Sequence, residues 1–190
     1  MAKKYEFKPD RPYSGFWGKL LLTRLQRRGV LKWSLYSLVL VVLSVLQDVL
    51  LCRMRLFGAT TELVPCGIFL VCILEGMERG CVFALTAALM YLFSGSGAGV
   101  YCIVFITTFA VVVTWLRQCY LQSGFSAAML CTGAAMLLYE LAVFAIGTFL
   151  GLTTASRIGS FCLTALLTMV AAPALYPIFK AIGGGDIWRE

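Results

Sequence analysis

The chain has 190 residues, of which 61% are hydrophobic and 13% charged, with a mean hydropathy of +0.89, whereas soluble domains carry about 25% charged residues. That balance excludes a soluble globular domain and describes an integral membrane protein with room for one bundle of spans. A net charge of +7 raises nucleic acid as a partner, but nine of the sixteen Lys and Arg precede residue 33. Cations gathered ahead of a first span are what the positive-inside rule places on the cytoplasmic side, so contact with the anionic lipid bilayer is expected instead, and no nucleic acid.

Residues 1–32 form a basic cytoplasmic segment, its first twelve residues charged and holding Pro9 and Pro12. From residue 13 to 32, Phe16, Trp17 and leucines alternate with Lys19, Arg24, Arg27 and Arg28, a composition suited to a helix lying at the interface. Trp33 then anchors a span. The uninterrupted apolar run that follows is longer than a secretory h-region and lacks a small-residue cleavage site, so it is expected to stay as a membrane helix.

Six apolar runs follow, at 33–51, 63–74, 81–93, 99–116, 127–151 and 158–179. The first, fourth, fifth and sixth suit a hydrocarbon core of about 30 Å. The second and third are too short, and must borrow residues from 57–62 and 76–80, sit inside the bundle, or thin the bilayer. The expected fold is therefore an all-α membrane protein, a compact polytopic bundle of about six transmembrane helices over 33–182, ending in a short cytoplasmic tail at 183–190. With the N-terminus inside, thirteen Lys and Arg fall on inner segments and only Arg53, Arg55 and Arg157 on outer loops. Both termini are then cytoplasmic.

The stretch from residue 75 to 101 reads as a tight helical hairpin around which the rest packs. Gly76 and Gly80 stand four apart beside a charged turn, Gly95, Gly97 and Gly99 lie in a glycine-serine hinge, and Gly147 and Gly151 repeat the small-xxx-small spacing in the fifth run. Such spacing lets helix backbones approach closely where lipid gives no hydrophobic drive to associate.

Within the turn, Glu75 and Arg79 form an i,i+4 ion pair if the turn is helical, and Glu75, Glu78 and Arg79 together offer a docking point for a cytoplasmic partner. Glu140, near the middle of the fifth run, is an ionisable group at a depth where one is costly and usually functional. It reads as a proton or substrate contact, as a seat for a partner subunit's span, or as a protonated carboxyl bonded to a hydroxyl such as that of Thr107, Thr164 or Thr168. Asp48, beside Gln47, lies close enough to the end of its run to reach interfacial water.

Eight cysteines are scattered singly with no CxxC, and the chain has no histidine, so they read as buried small hydrophobes rather than metal ligands. Tyr36, Tyr91 and Tyr101 read as packing or belt aromatics. Without histidine, paired carboxylates at workable spacing or a phosphate-binding loop, no catalytic site, cofactor or metal is expected.

The order of several features resembles the MreD family, the rod shape-determining membrane proteins of bacteria. They are Leu46-Gln47 at the end of the first run, Phe57-Gly58 and Pro65 opening the second, the turn at 75–80, the segment Ser94-Gly95-Ser96-Gly97-Ala98-Gly99-Val100-Tyr101, and the closing Ala174-Leu175-Tyr176-Pro177-Ile178-Phe179-Lys180. The likeness covers about residues 33–182. It departs from the family in lacking the acid usually found before the Gly-rich turn, where this chain reads Leu89-Met90-Tyr91-Leu92-Phe93.

The resemblance implies a non-enzymatic scaffold of the cell-elongation machinery in the bacterial cytoplasmic membrane, associated with MreC and, more widely, with MreB, RodA and a class B penicillin-binding protein. The family is in turn similar to the S-components of energy-coupling-factor vitamin transporters, also small six-span proteins. On that alternative the short second and third runs wall a pocket and Glu140 or Asp48 meets a ligand, although the outer loops offer mainly Arg53, Arg55, Glu62 and Arg157 as polar groups.

Overall fold

The computed structural model describes residues 24–51, 59–95, 99–120 and 124–184, and among them the regular structure is helical with no strand. Six α-helices run in order: α1 (Arg24–Leu46), α2 (Leu63–Glu75), α3 (Met77–Phe93), α4 (Tyr101–Tyr120), α5 (Phe125–Phe149) and α6 (Ile158–Gly184). A π-helical turn at Gln47–Leu51 extends α1, and a 3-10 turn at Ala155–Arg157 leads into α6. Four stretches, Gly29–Val49, Tyr101–Cys119, Phe125–Phe149 and Ala155–Gly183, are long and apolar enough to cross a membrane. This is a helical membrane protein.

The helices alternate in direction, so the bundle has two ends. One, here the basic end, gathers the start of α1, the α2–α3 turn and the last turns of α4 and α6, and with them Lys32, Arg79, Arg117 and Lys180. The far end holds the start of α2, the end of α5 and the turn before α6, which carries Arg157.

The centre of the bundle is α2 rather than the whole 75–101 hairpin. Eleven of its thirteen residues, Leu63 to Ile73, are buried, and all five other helices pack on it. Only one side of α3 is buried, through Gly80, Phe83, Ala84, Ala87, Ala88 and Tyr91, at the i,i+3/i+4 spacing of one helix face. The short second run therefore lies inside the bundle, while the third lengthens to seventeen residues by taking in Met77 to Gly80. A helix wrapped by protein need not match the lipid thickness.

The interfacial helix expected before Trp33 is corrected as far as it is described: from Arg24 onward the chain is one helix with the first span. Nothing bends it away, because the 24–33 stretch lacks proline and its single Gly29 has open space around it. The rest of that expected helix, residues 13–23, lies outside the described residues. Along α1 the side chains of Leu38, Val42, Val45 and Val49 are exposed, as a lipid-facing helix requires.

Glycine fills distinct roles. At Gly76 the backbone has φ +88° and separates α2 from α3, a conformation costly for residues with a Cβ. At Gly80 an added Cβ would stand 2.9 Å from the Cys72 Cα, and the Cys72 thiol donates to the Gly80 carbonyl at 3.1 Å. The hairpin crossing is thus a backbone contact.

The other two glycine groups are corrected. Gly95 and Gly99 serve turns, at φ +77° and +139°, while Gly97 lies outside the described residues. Gly147 faces Thr153, and Gly151, at φ +70°, follows the end of α5, where its N–H bonds the Thr148 carbonyl. That pair closes a helix instead of packing two, because α5 has run out at Phe149.

Replacing Gly80 by Val is expected to lower the stability of the purified protein by about 1–3 kcal/mol, read as earlier thermal unfolding in detergent. Gly159→Ala, with no heavy atom within 4 Å of the new Cβ, should leave the transition in place. Equal midpoints for the two variants would refute the close crossing.

Candidate functional site

Because α2 has only thirteen residues, about 20 Å of helix, its ends stop inside the bundle and their backbone groups need partners there. At its start Pro65 removes one N–H from the first turn. The Val64 N–H goes to the Gln47 side-chain carbonyl at 3.1 Å, and the Glu62 N–H to the Thr168 hydroxyl at 3.0 Å. Gln47 in turn donates to the Tyr91 hydroxyl at 3.4 Å. These bonds set Glu62 among α3, α5 and α6, beside the Tyr139 and Tyr91 phenols.

A cavity of about 460 Å³ opens beside Glu62, and its lining includes Glu140, Arg157, Ser160, Phe161 and Thr164, with Thr60 at its edge. Arg157 on the turn and the α6 residues form one stripe, since 157, 160, 161 and 164 recur at i, i+3, i+4 and i+7. Glu140 comes from the buried stripe of α5 that also carries Ala128, Thr132, Met136 and Val143. It lies nine residues before the end of α5, about two and a half turns below the far end.

Glu140 is only 3% exposed, and among the described residues neither its Oε1 nor the buried Oε2 of Glu62 has a hydrogen-bond partner. The two carboxyls line the same cavity. None of the hydroxyls expected to bond Glu140 does so. Thr107 and Thr164 donate to carbonyls of their own helices, and Thr168 does the same while accepting from Glu62. Back-bonding to the i−4 carbonyl is the local alternative open to any helical threonine. Glu140 lines the cavity.

The basic end closes α2 in a complementary way. The Lys32 ammonium pairs with both Glu75 oxygens, at 2.6 and 2.7 Å, and the Tyr36 hydroxyl donates to Glu75 Oε1 at 2.7 Å. The Arg117 guanidinium donates to the Ile73 carbonyl. Cations near the last carbonyls of α2 also complement its dipole.

The expected Glu75–Arg79 pair is therefore corrected: Gly76 breaks the helix between them, and Glu75 turns to Lys32. Glu78 and Arg79 are exposed at this end. Around Tyr36 the rings of Trp33, Phe83 and Phe179 lie within 5.7 to 6.1 Å of its centroid, and Tyr36 and Tyr91 are buried hydrogen-bonding residues rather than belt aromatics.

Asp48 stands elsewhere, on a groove of about 440 Å³ between α1 and α3 whose lining includes Ser37, Val41, Ser44, Thr86 and Met90. Of the cysteines, Cys66, Cys72, Cys102 and Cys131 are buried, Cys81 and Cys162 half-buried and Cys119 exposed, while Cys52 lies outside the described residues, as do Arg53, Arg55 and the Phe57-Gly58 pair.

No family model matches the sequence, and no curated protein or solved structure matches it either.

Removing the Glu75 carboxyl leaves an ammonium and a phenol without their acceptor. Glu75→Ala is expected to cost about 1–3 kcal/mol, against no more than about 0.5 kcal/mol for the exposed Glu78→Ala. Thermal unfolding of the two purified variants side by side checks this, and equal losses would contradict the assignment.

Proposed function

We propose that this chain is a non-enzymatic membrane scaffold of the MreD kind, a six-helix, S-component-like bundle in the bacterial cytoplasmic membrane with both termini cytoplasmic. It supports cell shape and lateral peptidoglycan synthesis by holding MreC, and through it the wider assembly of MreB, RodA and a class B penicillin-binding protein. The observation that carries this reading is the groove between α1 and α3. Trp33 and Tyr36 of α1 pack at a tilt against Phe83 of α3 near the basic end. Beyond that contact the two helices part, leaving the groove open at membrane depth.

Its walls mix aliphatic side chains with the hydroxyls of Ser37, Ser44 and Thr86. Small and hydroxyl-bearing residues are the ones membrane helices use to admit a neighbour, through close packing and interhelical hydrogen bonds. A single-span protein such as MreC presents one helix, and one helix is what such a groove takes. The exposed Glu78 and Arg79 at the basic end, next to the same two helices, supply charged contacts for the segment that follows such a span out of the membrane.

The far-end cavity favours a second reading, the substrate-binding subunit of a vitamin transporter, because two carboxyls and an arginine converge there. Co-purification of the tagged native protein in gentle detergent separates the two. Recovery of MreC or wall synthases is expected, and Ser44→Trp, which fills the groove, should reduce that recovery by at least about tenfold with helicity unchanged. Recovery of an ATPase pair with its membrane coupling subunit would overturn the scaffold reading.

A further inference from the structure

We propose that the far-end cavity binds a zwitterion with a primary ammonium and an anionic group a few atoms apart, and that its source is the headgroup of an aminophospholipid. The site is independent of the α1–α3 groove and of the scaffold reading. Its floor is acidic: Glu140 Oε1 and Glu62 Oε2 are buried acceptors without a partner, on the same cavity of about 460 Å³. Buried carboxyl oxygens need a proton or a cation to offset the loss of water. Among the described residues no cationic side chain supplies it, since Arg157 makes no ion pair with either carboxyl.

Arg157 nevertheless lines the same cavity, and it is exposed, on the turn that leads into α6. Its fixed positive charge repels a bare cation but welcomes one that carries its own anion. The polarity thus runs from acids within to a guanidinium at the exposed edge, the reverse of an ammonium entering first with an anion behind it. A guanidinium suits the phosphate through parallel N–H donors.

A primary ammonium fits better than a quaternary one. Its three N–H donors can serve the two unpartnered carboxyl oxygens and one neighbouring hydroxyl, that of Ser160 or Thr164, whereas a quaternary group has no donor and prefers an aromatic cage. Among the described residues, Phe161 is the one aromatic ring on the lining.

The apolar side chains beside the site point to lipid as the source. Phe149, the last residue of α5, and Leu152, on the turn that follows, are 89% and 74% exposed, and Ile158 beside Arg157 is also exposed. Such side chains at the end of a membrane bundle sit well against acyl chains and poorly against water.

The test uses the full chain purified in gentle detergent and incubated with an equimolar mixture of dioleoyl phosphatidylethanolamine and dioleoyl phosphatidylcholine, with retained lipid identified by native mass spectrometry. The ethanolamine lipid is expected to be retained about tenfold over the choline lipid, with the preference lost in Glu140→Gln and weakened in Arg157→Gln. The comparison of lipids is made on the unaltered chain, so it stands whether or not a variant folds. A parallel arm adds soluble phosphoethanolamine and reads the thermal midpoint. Stabilisation by phosphoethanolamine without lipid preference would keep the zwitterion site and assign it a soluble source. Equal retention of both lipids with no shift from phosphoethanolamine would overturn the proposal, leaving the two carboxyls to be neutralised by protons.

Discussion

The bundle depends on a mismatch of length. The most buried helix among those described, α2, has thirteen residues, about 20 Å at 1.5 Å per residue, in a bundle where four of the surrounding helices are long enough for about 30 Å of hydrocarbon. A helix has unpaired N–H groups at one end and unpaired carbonyls at the other, and here both ends stop where water is scarce. Each is met by side chains from other helices. Gln47 and Thr168 serve the N–H groups at one end, and Arg117 serves a carbonyl at the other. Two of the buried polar residues, Gln47 and Thr168, are thus fittings of this one helix.

The two glutamates that bracket α2 show how the same need leads to different outcomes. Glu75 ends the helix at the basic end, where Lys32 and Tyr36 occupy both its oxygens. It is a finished structural contact. Glu62 precedes the helix at the far end, where its backbone is anchored on Thr168 but one carboxyl oxygen is left over, as is one of Glu140. Folded proteins rarely leave buried polar atoms unpaired. The asymmetry between a closed end and an open end locates function more sharply than the presence of charge does, since Glu75 is as conspicuous in the sequence as Glu140.

Much of the fold was legible from apolar run lengths, including the short second run that sits inside the bundle. What periodicity could not reveal was its rank, because burial on all sides leaves no polar face to mark it. Glu140 stood out as a lone acid in an apolar run. Glu62 did not, since a glutamate ahead of a helix ordinarily faces solvent and only the packing of α3, α5 and α6 around it makes it internal. Arg157, on the turn before α6, and Ser160, Thr164 and Thr168 in its first half recur along one face of a mainly apolar stretch, a polar stripe that helical spacing exposes once it is sought. The Glu75–Arg79 spacing misled for a local reason: an i,i+4 rule holds only within one helix, and Gly76 at φ +88° ends it.

The two openings of the bundle obey different physics, and that separates their roles. The α1–α3 groove lies along the membrane, where an occupant leaves lipid and gains mainly close packing, so small side chains and hydroxyls are the groups that matter there. The far-end cavity is a site of unpaired charge, where an occupant is chosen by what it neutralises, and a wrong one leaves carboxyls buried without partners. Filling the groove should therefore disturb association with a neighbouring helix and spare the cavity, whereas neutralising Glu140 should do the reverse. The central helix ties both to one frame: Val64 lines the groove while its N–H holds Gln47, and Glu62 two residues earlier lines the cavity. An occupant of either opening bears on the start of α2, the point at which the short helix is most in need of support.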